Sequence, residues 1–392
     1  MDWRLHDFGF ILIEARFHAS IASLPADAWD ALRADANPFV SHAFLAALEN
    51  SGCIRPDWGW QAHHLGLYEN DRLVAATPLY LKGNSHGEFV FDFSWANAWQ
   101  RAGGEYYPKL LNGVPYSPVP GPRLLAGNDE RTPMLQRELV EAMRREAERM
   151  ELSSVHANFL QESELAAFDE DWLTRSDVQF HWHNHSYRHF PEFLATLNHK
   201  KRKNILRERA QVAASNLIIE WRSGDSLTLD EWRQVHALYE ATFDAKGNHA
   251  ALTSMFFRQL GELGQTVQLA LARQAGAIVA MALFVQSDSV LYGRYWGASM
   301  DVPGLHFELC YYRGIDHAIT QKLTRFEPGA QGEHKLARGF LPVRTHSRHY
   351  LLNPDFRAAV AAALASEAQA VDAYALELQS HSPYADHSTA KR

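Results

Sequence analysis

The sequence predicts an α+β protein made of two tandem units, each a mixed, largely antiparallel sheet flanked by helices. Three observations carry that prediction. The order helix, strand, turn, strand, strand runs through residues 38–95 and returns in residues 253–296. Words recur with it: Leu73-Val-Ala-Ala76 answers Ile278-Val-Ala-Met281 at an offset of 205, and Trp95 answers Trp296 at an offset of 201, a difference absorbed by four extra residues near 82–86. Finally, 392 residues at 46% hydrophobic are enough for two ordinary cores.

Taken in order, residues 38–52 read as a helix that begins near Ser41 and stops at Gly52, with Phe44, Leu45 and Leu48 as its apolar stripe. Residues 63–69 and 72–81 flank Asn70-Asp71, a turn pair between apolar runs that signals a hairpin. Residues 88–95 (EFVFDFSW) alternate large apolar residues with others and read as a third strand. An amphipathic helix over 134–150 leads into a strand at 153–159, and 178–183 gives a further strand. The second round has a helix at 253–263, strands at 267–273 and 277–286 about Gly276, and a strand at 290–296. Between the rounds, residues 198–214 form a helix with six basic residues from Lys200 to Arg209 and only Glu208 to offset them. A strand at 323–327 and an Ala-rich helix at 355–378 follow, and the chain beyond Ser380 reads as a frayed tail. The expected boundaries are 1–185 for the first unit, 186–352 for the second, and 353–392 for the final helix and tail.

Composition narrows the function. The longest apolar stretch, residues 278–285, is far short of the roughly 20 residues a bilayer needs, so a soluble protein without a membrane span is expected. Asp2, Arg4, His6 and Asp7 precede any apolar run, the wrong order for a secretory leader. The two cysteines, Cys53 and Cys310, have no Cys or His at metal-ligand spacing, which fits a reducing cytoplasm and no metal. A formal charge of −8 requires any polyanion to find a local basic patch.

Certain words resemble a known family. Tyr107-Pro-Lys-Leu-Leu111, Pro118-Val-Pro-Gly-Pro-Arg123, Gln179-Phe-His-Trp-His183, Lys201-Arg-Lys-Asn204, Tyr292-Gly-Arg-Tyr-Trp-Gly297, His306-Phe-Glu-Leu-Cys-Tyr-Tyr312 and Gly329-Ala-Gln-Gly-Glu-His-Lys-Leu-Ala-Arg-Gly-Phe340 are similar to the FemAB-like peptidoglycan biosynthesis/recognition family of the GNAT acyltransferase superfamily. The resemblance runs from about Ser20 to about Pro383. It implies two tandem GNAT-like units. It also implies a reaction in which an amino acid passes from aminoacyl-tRNA to an amine of a peptidoglycan precursor, without a metal and without coenzyme A. A CoA-dependent enzyme of this fold would carry an Arg/Gln-x-x-Gly-x-Gly/Ala loop before a helix to cradle pyrophosphate. Arg101-Ala-Gly-Gly104 and Gly329-Ala-Gln-Gly332 are glycine pairs in the wrong frame for it.

Acyl transfer to an amine needs a neutral amine, a carbonyl carbon held near it, and donors aimed at the developing oxyanion, which GNAT folds commonly supply where two central strands splay. The densest polar word is Gln331-Gly-Glu-His-Lys335 with Arg338 after it. Glu333 or His334 is the candidate base, while Gln331, Lys335 and Arg338 are candidates to hold a carboxylate or phosphate. The alternative for this word is a solvated loop between two strands. Glu308, sharing a helix face with Tyr312 at i, i+4 and near His306, is a competing base or the partner of an Arg such as Arg294. Tyr292, Arg294 and Trp296 alternate on a strand, so one shared face is expected to line an acceptor groove or to be ordinary core. Lys200, Lys203 and Arg207 fall on one face of the basic helix opposite Ile205 and Val212, and that stripe either meets a diphosphate or tRNA acceptor stem or is simply solvated. Lys109, by analogy, is a candidate for the acceptor's carboxylates. His181, His183 and His185 read as satisfied strand histidines rather than metal ligands.

The expected function is therefore an acyl- or aminoacyl-transferase acting on a primary amine of a peptide or small molecule, with aminoacyl-tRNA or acyl-CoA as donor. The alternatives are a non-catalytic muropeptide-binding protein and a CoA-dependent N-acetyltransferase.

Overall fold

The computed structural model describes residues 3–8, 11–330 and 332–385, and they divide into two units: 1–177 with 344–371, and 178–343 with 372–392. The first unit contains β1 (Trp3–Phe8), β2 (Ile11–His18), α1 (Ala26–Asp30), α2 (His42–Asn50), β3 (Trp60–Ala62), β4 (His64–Glu69), β5 (Arg72–Thr77), β6 (Leu79–Lys82), α3 (Phe93–Arg101), β7 (Lys109–Asn112), α4 (Thr132–Arg149) and β8 (Ser154–Leu160). β9 (Leu173–His183) carries the chain across the boundary. The second unit has α5 (Phe190–Thr196), α6 (His199–Ala213), β10 (Ile218–Ser223), α7 (Leu229–Asp244), α8 (Ser254–Glu262), β11 (Val267–Gln274), β12 (Ala277–Gln286), β13 (Val290–Ala298), α9 (Leu305–Phe307), α10 (Arg313–Thr320) and β14 (Arg325–Glu327). β15 (Leu341–Leu351) and α11 (Pro354–Ser380) end it. No helix among the described residues is long and apolar enough to cross a membrane.

Local chemistry explains most of these elements. Ser41 caps α2 by accepting from the Phe44 N–H, and Asn198 caps α6 by accepting from the Lys201 N–H. Asn70 and Asp71 both adopt positive φ, 48° and 63°, as a two-residue hairpin between antiparallel strands requires, and Ala275 and Gly276 do the same between β11 and β12. Pro78 offers no N–H, and there the third strand of the first unit breaks into β5 and β6, which join different sheets.

The two units repeat one order. In the first, β2 pairs antiparallel with β4 after two intervening helices, β4 with β5, β6 with β7, and β7 runs parallel to β8 across α4. In the second, β10 pairs with β11 after α7 and α8, β11 with β12, β12 with β13, and β13 runs parallel to β14 across α9 and α10. Leu139 and Met143 of α4 pack on Leu65, Leu67 and Val74 in one core, while Tyr239 of α7 packs on Phe257 and Tyr295 in the other.

Several expectations change. Residues 88–95 do not form a strand: Trp95 lies on α3, within an insertion at 83–108 between β6 and β7 whose counterpart is the tight turn 287–289. Trp95 and Trp296 are therefore not equivalent, the four-residue loop difference fails with them, and the repeat rests on strand order. The alternation of 88–93 has another cause. Glu88 and Asp92 point inward to a buried lysine while Phe89, Phe91 and Phe93 are exposed, an inverted layer instead of a sheet face. The boundaries also differ from those expected at 185 and 352, because β15 from Arg344 and α11 as far as Val371 belong to the first unit. There Phe356, Val360 and Leu364 of α11 pack with Trp95 and Tyr106. The tail is docked through Ala385: the Tyr384 hydroxyl donates to the Gly339 carbonyl at 2.7 Å and the Asn198 N–H to the Pro383 carbonyl at 2.9 Å.

Candidate active site

The second unit places most of the predicted polar residues around the ends of β13 and β14. These strands pair in parallel only from Val290↔Arg325 to Tyr292↔Glu327, after which β14 stops at Pro328 while β13 runs on to Ala298 without it. A Cβ on Gly293 would sit 3.1 Å from the Pro328 Cα, so the strands touch there before they separate. The register of β13 against β12 slips between Tyr295↔Leu283 and Gly293↔Phe284, leaving Arg294 as the extra residue of a β-bulge. The bulge reverses the alternation. Tyr292 shares its sheet face with Val285 and Tyr295, whereas Trp296 shares the opposite face with Ala282, so the single face expected for Tyr292, Arg294 and Trp296 does not exist.

Beyond the bulge, Trp296, Ser299, Asp301 and His306 help line a groove of about 450 Å³ between the end of β13 and the start of α9. The His306 ring lies edge-on to Trp296 at 5.1 Å, to Tyr311 at 5.5 Å and to His334 at 6.2 Å, forming a wall of aromatic and imidazole rings. Burial lowers His306 to about 4, helped by the neighbouring His334, Arg338 and Lys335, so its ring is neutral near pH 7. Between α9 and α10, residues Glu308–Tyr312 form a π-helical turn that brings Tyr311 and Tyr312 onto the polar segment Glu333–Arg338.

Within that segment His334 is exposed, with its Nε2 2.9 Å from the Tyr311 hydroxyl, and its pKa is lowered by partial burial and by the cations Arg338 and Lys335. Lys335 is 2% exposed and donates to the Gly329 carbonyl at 2.6 Å, directly after the point where β13 and β14 separate. Burial lowers its ammonium to about 7. Glu333 is exposed and accepts from the Tyr374 hydroxyl at 2.8 Å. Gln331 lies outside the described residues.

Other candidates are occupied by protein groups. Arg338 donates twice to Glu208 at 3.0 Å, to Tyr312 at 3.0 Å and to the His334 carbonyl at 2.8 Å, and its guanidinium stacks 3.4 Å above Phe307. It holds the segment in shape, and Tyr312 is committed to the same knot through Glu208. Glu308 is 2% exposed and clamped between Arg209, at 3.1 and 3.2 Å, and Arg313 at 2.8 Å, so of its two readings the ion-pair partner fits, with these arginines in place of Arg294. Lys109 lies in the other unit, wholly buried, its ammonium bonded to Asp92 at 2.5 Å, Glu88 at 2.9 Å and Ser85 at 3.1 Å, so no position remains for an acceptor's carboxylate. Lys200, Lys203 and Arg207 are exposed on α6, opposite the buried Ile205 and Val212. Sequence reasoning passed over Glu327 and treated His181 as satisfied. The signal for Glu327 was a carboxylate ending a short strand just before Pro328 and Gly329.

No group of three or more His, Cys, Asp or Glu able to hold a metal occurs among the described residues. No curated protein matches the chain. Among solved structures, it is similar to FemX, with a TM-score of 0.53 at 10% identity over 88% of this chain and 99% of that one. It is also similar to the C-terminal domain of a putative lysylphosphatidylglycerol synthetase from Agrobacterium fabrum, with a TM-score of 0.51 at 11% identity over 87% and 96%. A tandem GNAT protein from the clavulanic acid biosynthesis pathway aligns with a TM-score of 0.46 at 12% identity over 87% and 99%. Residues 20–386 match the FemAB-like family described as peptidoglycan biosynthesis/recognition, and the chain, with its repeated strand order and its separating central strands, belongs to that family.

Proposed function

We propose that the protein transfers an acyl or aminoacyl group onto a primary amine of a peptidoglycan precursor. The observation that carries this reading is the gap beyond Tyr292, where β13 leaves β14 beside a groove lined by Trp296 and His306 and beside the buried Lys335. Main-chain donors along the edge of β13 that β14 leaves suit the oxyanion that forms when the amine attacks the donor's carbonyl carbon. As the new C–N bond forms, the donor's ester or thioester bond breaks and the amine loses a proton. His334 suits that proton, since partial burial, helped by Arg338 and Lys335, holds its pKa below the ordinary histidine value and leaves the ring neutral. Lys335, with a pKa near 7, suits the developing negative charge once it is protonated. The exposed Lys200, Lys203 and Arg207 offer a site for phosphates, which an aminoacyl-tRNA and an acyl-CoA both carry.

His334→Asn and Lys335→Met are each expected to lower turnover about a hundredfold or more while muropeptide binding survives. Glu308→Gln is expected to reduce stability through Arg209 and Arg313 and to leave the rate per folded molecule near wild type. Rates near wild type in both His334→Asn and Lys335→Met would remove the segment from the reaction. Replacing Lys200, Lys203 and Arg207 by Ala should weaken donor binding and flatten its dependence on salt, since fewer counterions are released. Unchanged affinity at low salt would leave the stripe a solvated surface.

A further inference from the structure

We infer that His181 on β9 and Glu327 on β14 form the seat for the primary amine of the acceptor, an inference that rests on the transfer reading above. Antiparallel pairing sets Arg325 opposite His183 and Phe326 opposite Trp182, which brings Glu327 opposite His181 on one face of the sheet. The His181 Nε2 and the Glu327 Oε2 stand 3.9 Å apart, too far to bond to each other. Each is buried, both residues being 4% exposed, and neither atom has a hydrogen-bond partner among the described residues. Buried polar atoms in folded proteins are nearly always paired. Two facing atoms left without partners on neighbouring strands therefore mark a place built for a third group.

The chemistry of that group follows from the pair. Glu327 Oε1 is taken by the Arg325 Nε at 2.7 Å, so Oε2 alone faces His181. Burial, with Arg325, His183 and Lys335 nearby, holds His181 neutral with a pKa of about 3, so one ring nitrogen accepts, and that nitrogen is Nε2 in the tautomer that carries its hydrogen on Nδ1. Two acceptors at this spacing call for one atom with at least two hydrogens to donate, and a nitrogen at about 2.9 Å from each reaches both. A primary amine meets that need, as a water molecule does, whereas a hydroxyl or a thiol has one hydrogen to give, and of the first two only the amine makes ligand binding depend on a free amino group. The site is also in the right place, since Glu327 is the last β14 residue paired with β13 before the strands part. When the amine arrives as an ammonium, one N–H bond breaks, an O–H bond forms on Glu327, and the neutral amine is left with its lone pair. Burial brings Glu327 to about 7 against the pull of Arg325 and Arg294, a range in which it accepts and returns a proton. The charged groups facing it are Arg325 from its own strand, Arg294 from β13, and His183 and Lys335 around its imidazole partner.

The test needs no acyl donor. Calorimetric titration at pH 8 compares a UDP-linked muropeptide bearing a free primary amine with the same muropeptide N-acetylated at that amine. The wild-type protein is expected to bind the free-amine form at least tenfold more tightly, and Glu327→Gln and His181→Phe to lose that preference while still binding the acetylated form. Equal affinity of the wild-type protein for the two forms would overturn the inference, as would a preference that survives in both variants with unchanged melting temperature. A preference for the free amine without transfer from any donor would keep this seat and discard the transferase reading instead. Transfer without a preference would do the reverse.

Discussion

Lys109→Met is expected to cost about 3–5 kcal/mol of stability, the range for breaking a buried ion pair from one side. The Lys109 ammonium stands between Asp92 and Glu88, and all three groups are at most 5% exposed. Burial opposes its charge, but the two carboxylates hold its pKa above the usual lysine value, so it is a cation at neutral pH. Asp92, also bonded by Ser85 and by Tyr106 at 2.6 Å, is held far below the usual carboxylate range despite its burial, mainly by Lys109. Removing the lysine leaves that carboxylate charged and uncompensated in the interior. Methionine restores the volume but no donor. Chemical denaturation of the variant measures the loss, and a change below about 1 kcal/mol would mean that the insertion at 83–108 is not held by this cluster.

Stability is also expected to fall steeply as pH drops from 7 to 5. His156 and His181 have pKa values of about 3, His306 and His317 of about 4, and His349 lies well below its ordinary value, in each case because burial disfavours the cation. Their unfolded values are near 6.5, so below that pH the unfolded chain binds protons that the folded chain does not. The stability they contribute is complete above pH 6.5 and is lost as pH falls toward the folded values, at about 1.4 kcal/mol per pH unit for each fully buried ring. His156 and His349 resist most, because their Nδ1 atoms meet at 2.7 Å and share one hydrogen, while Ser154 and Ser347 bind the opposite nitrogens. Protonating both rings puts two donors face to face. Glu88 and Glu327, raised to about 7 by burial, act in the other direction between their unfolded value near 4.5 and pH 7, and the buried Glu164, also raised by burial, acts in the same sense. The five histidines outweigh them. Denaturation midpoints at pH 7.5, 6.5 and 5.5 should fall in that order, and a midpoint that held or rose would contradict this balance.

Elements whose signals are local were legible in the sequence. The Ser41 and Asn198 caps, the Asn70-Asp71 turn and the turn at Gly276 each act within four residues, and the structure has them where the pattern puts them. What escaped depended on distant partners. Alternation over 88–95 looked like a strand because a buried lysine from residue 109 draws in Glu88 and Asp92. The face of Trp296 turned on a one-residue bulge at Arg294 that no spacing rule announces. The partners of Glu308 and Arg338 were not legible because Arg209 and Glu208 sit about a hundred residues away on α6, so that Arg294 was named for Glu308 and Arg338 looked free. In His181, the missing hydrogen bond shows only once Glu327 is placed across from it.

The transfer claim is tested most directly by incubating the purified protein with a UDP-linked muropeptide bearing a free primary amine and, in parallel, an aminoacyl-tRNA and an acyl-CoA, and following the muropeptide by mass spectrometry. The account predicts that one of the two donors yields a muropeptide heavier by one acyl or aminoacyl residue on that amine, and that Lys335→Met suppresses the product about a hundredfold or more. A muropeptide that binds but gains no mass from either donor would contradict it.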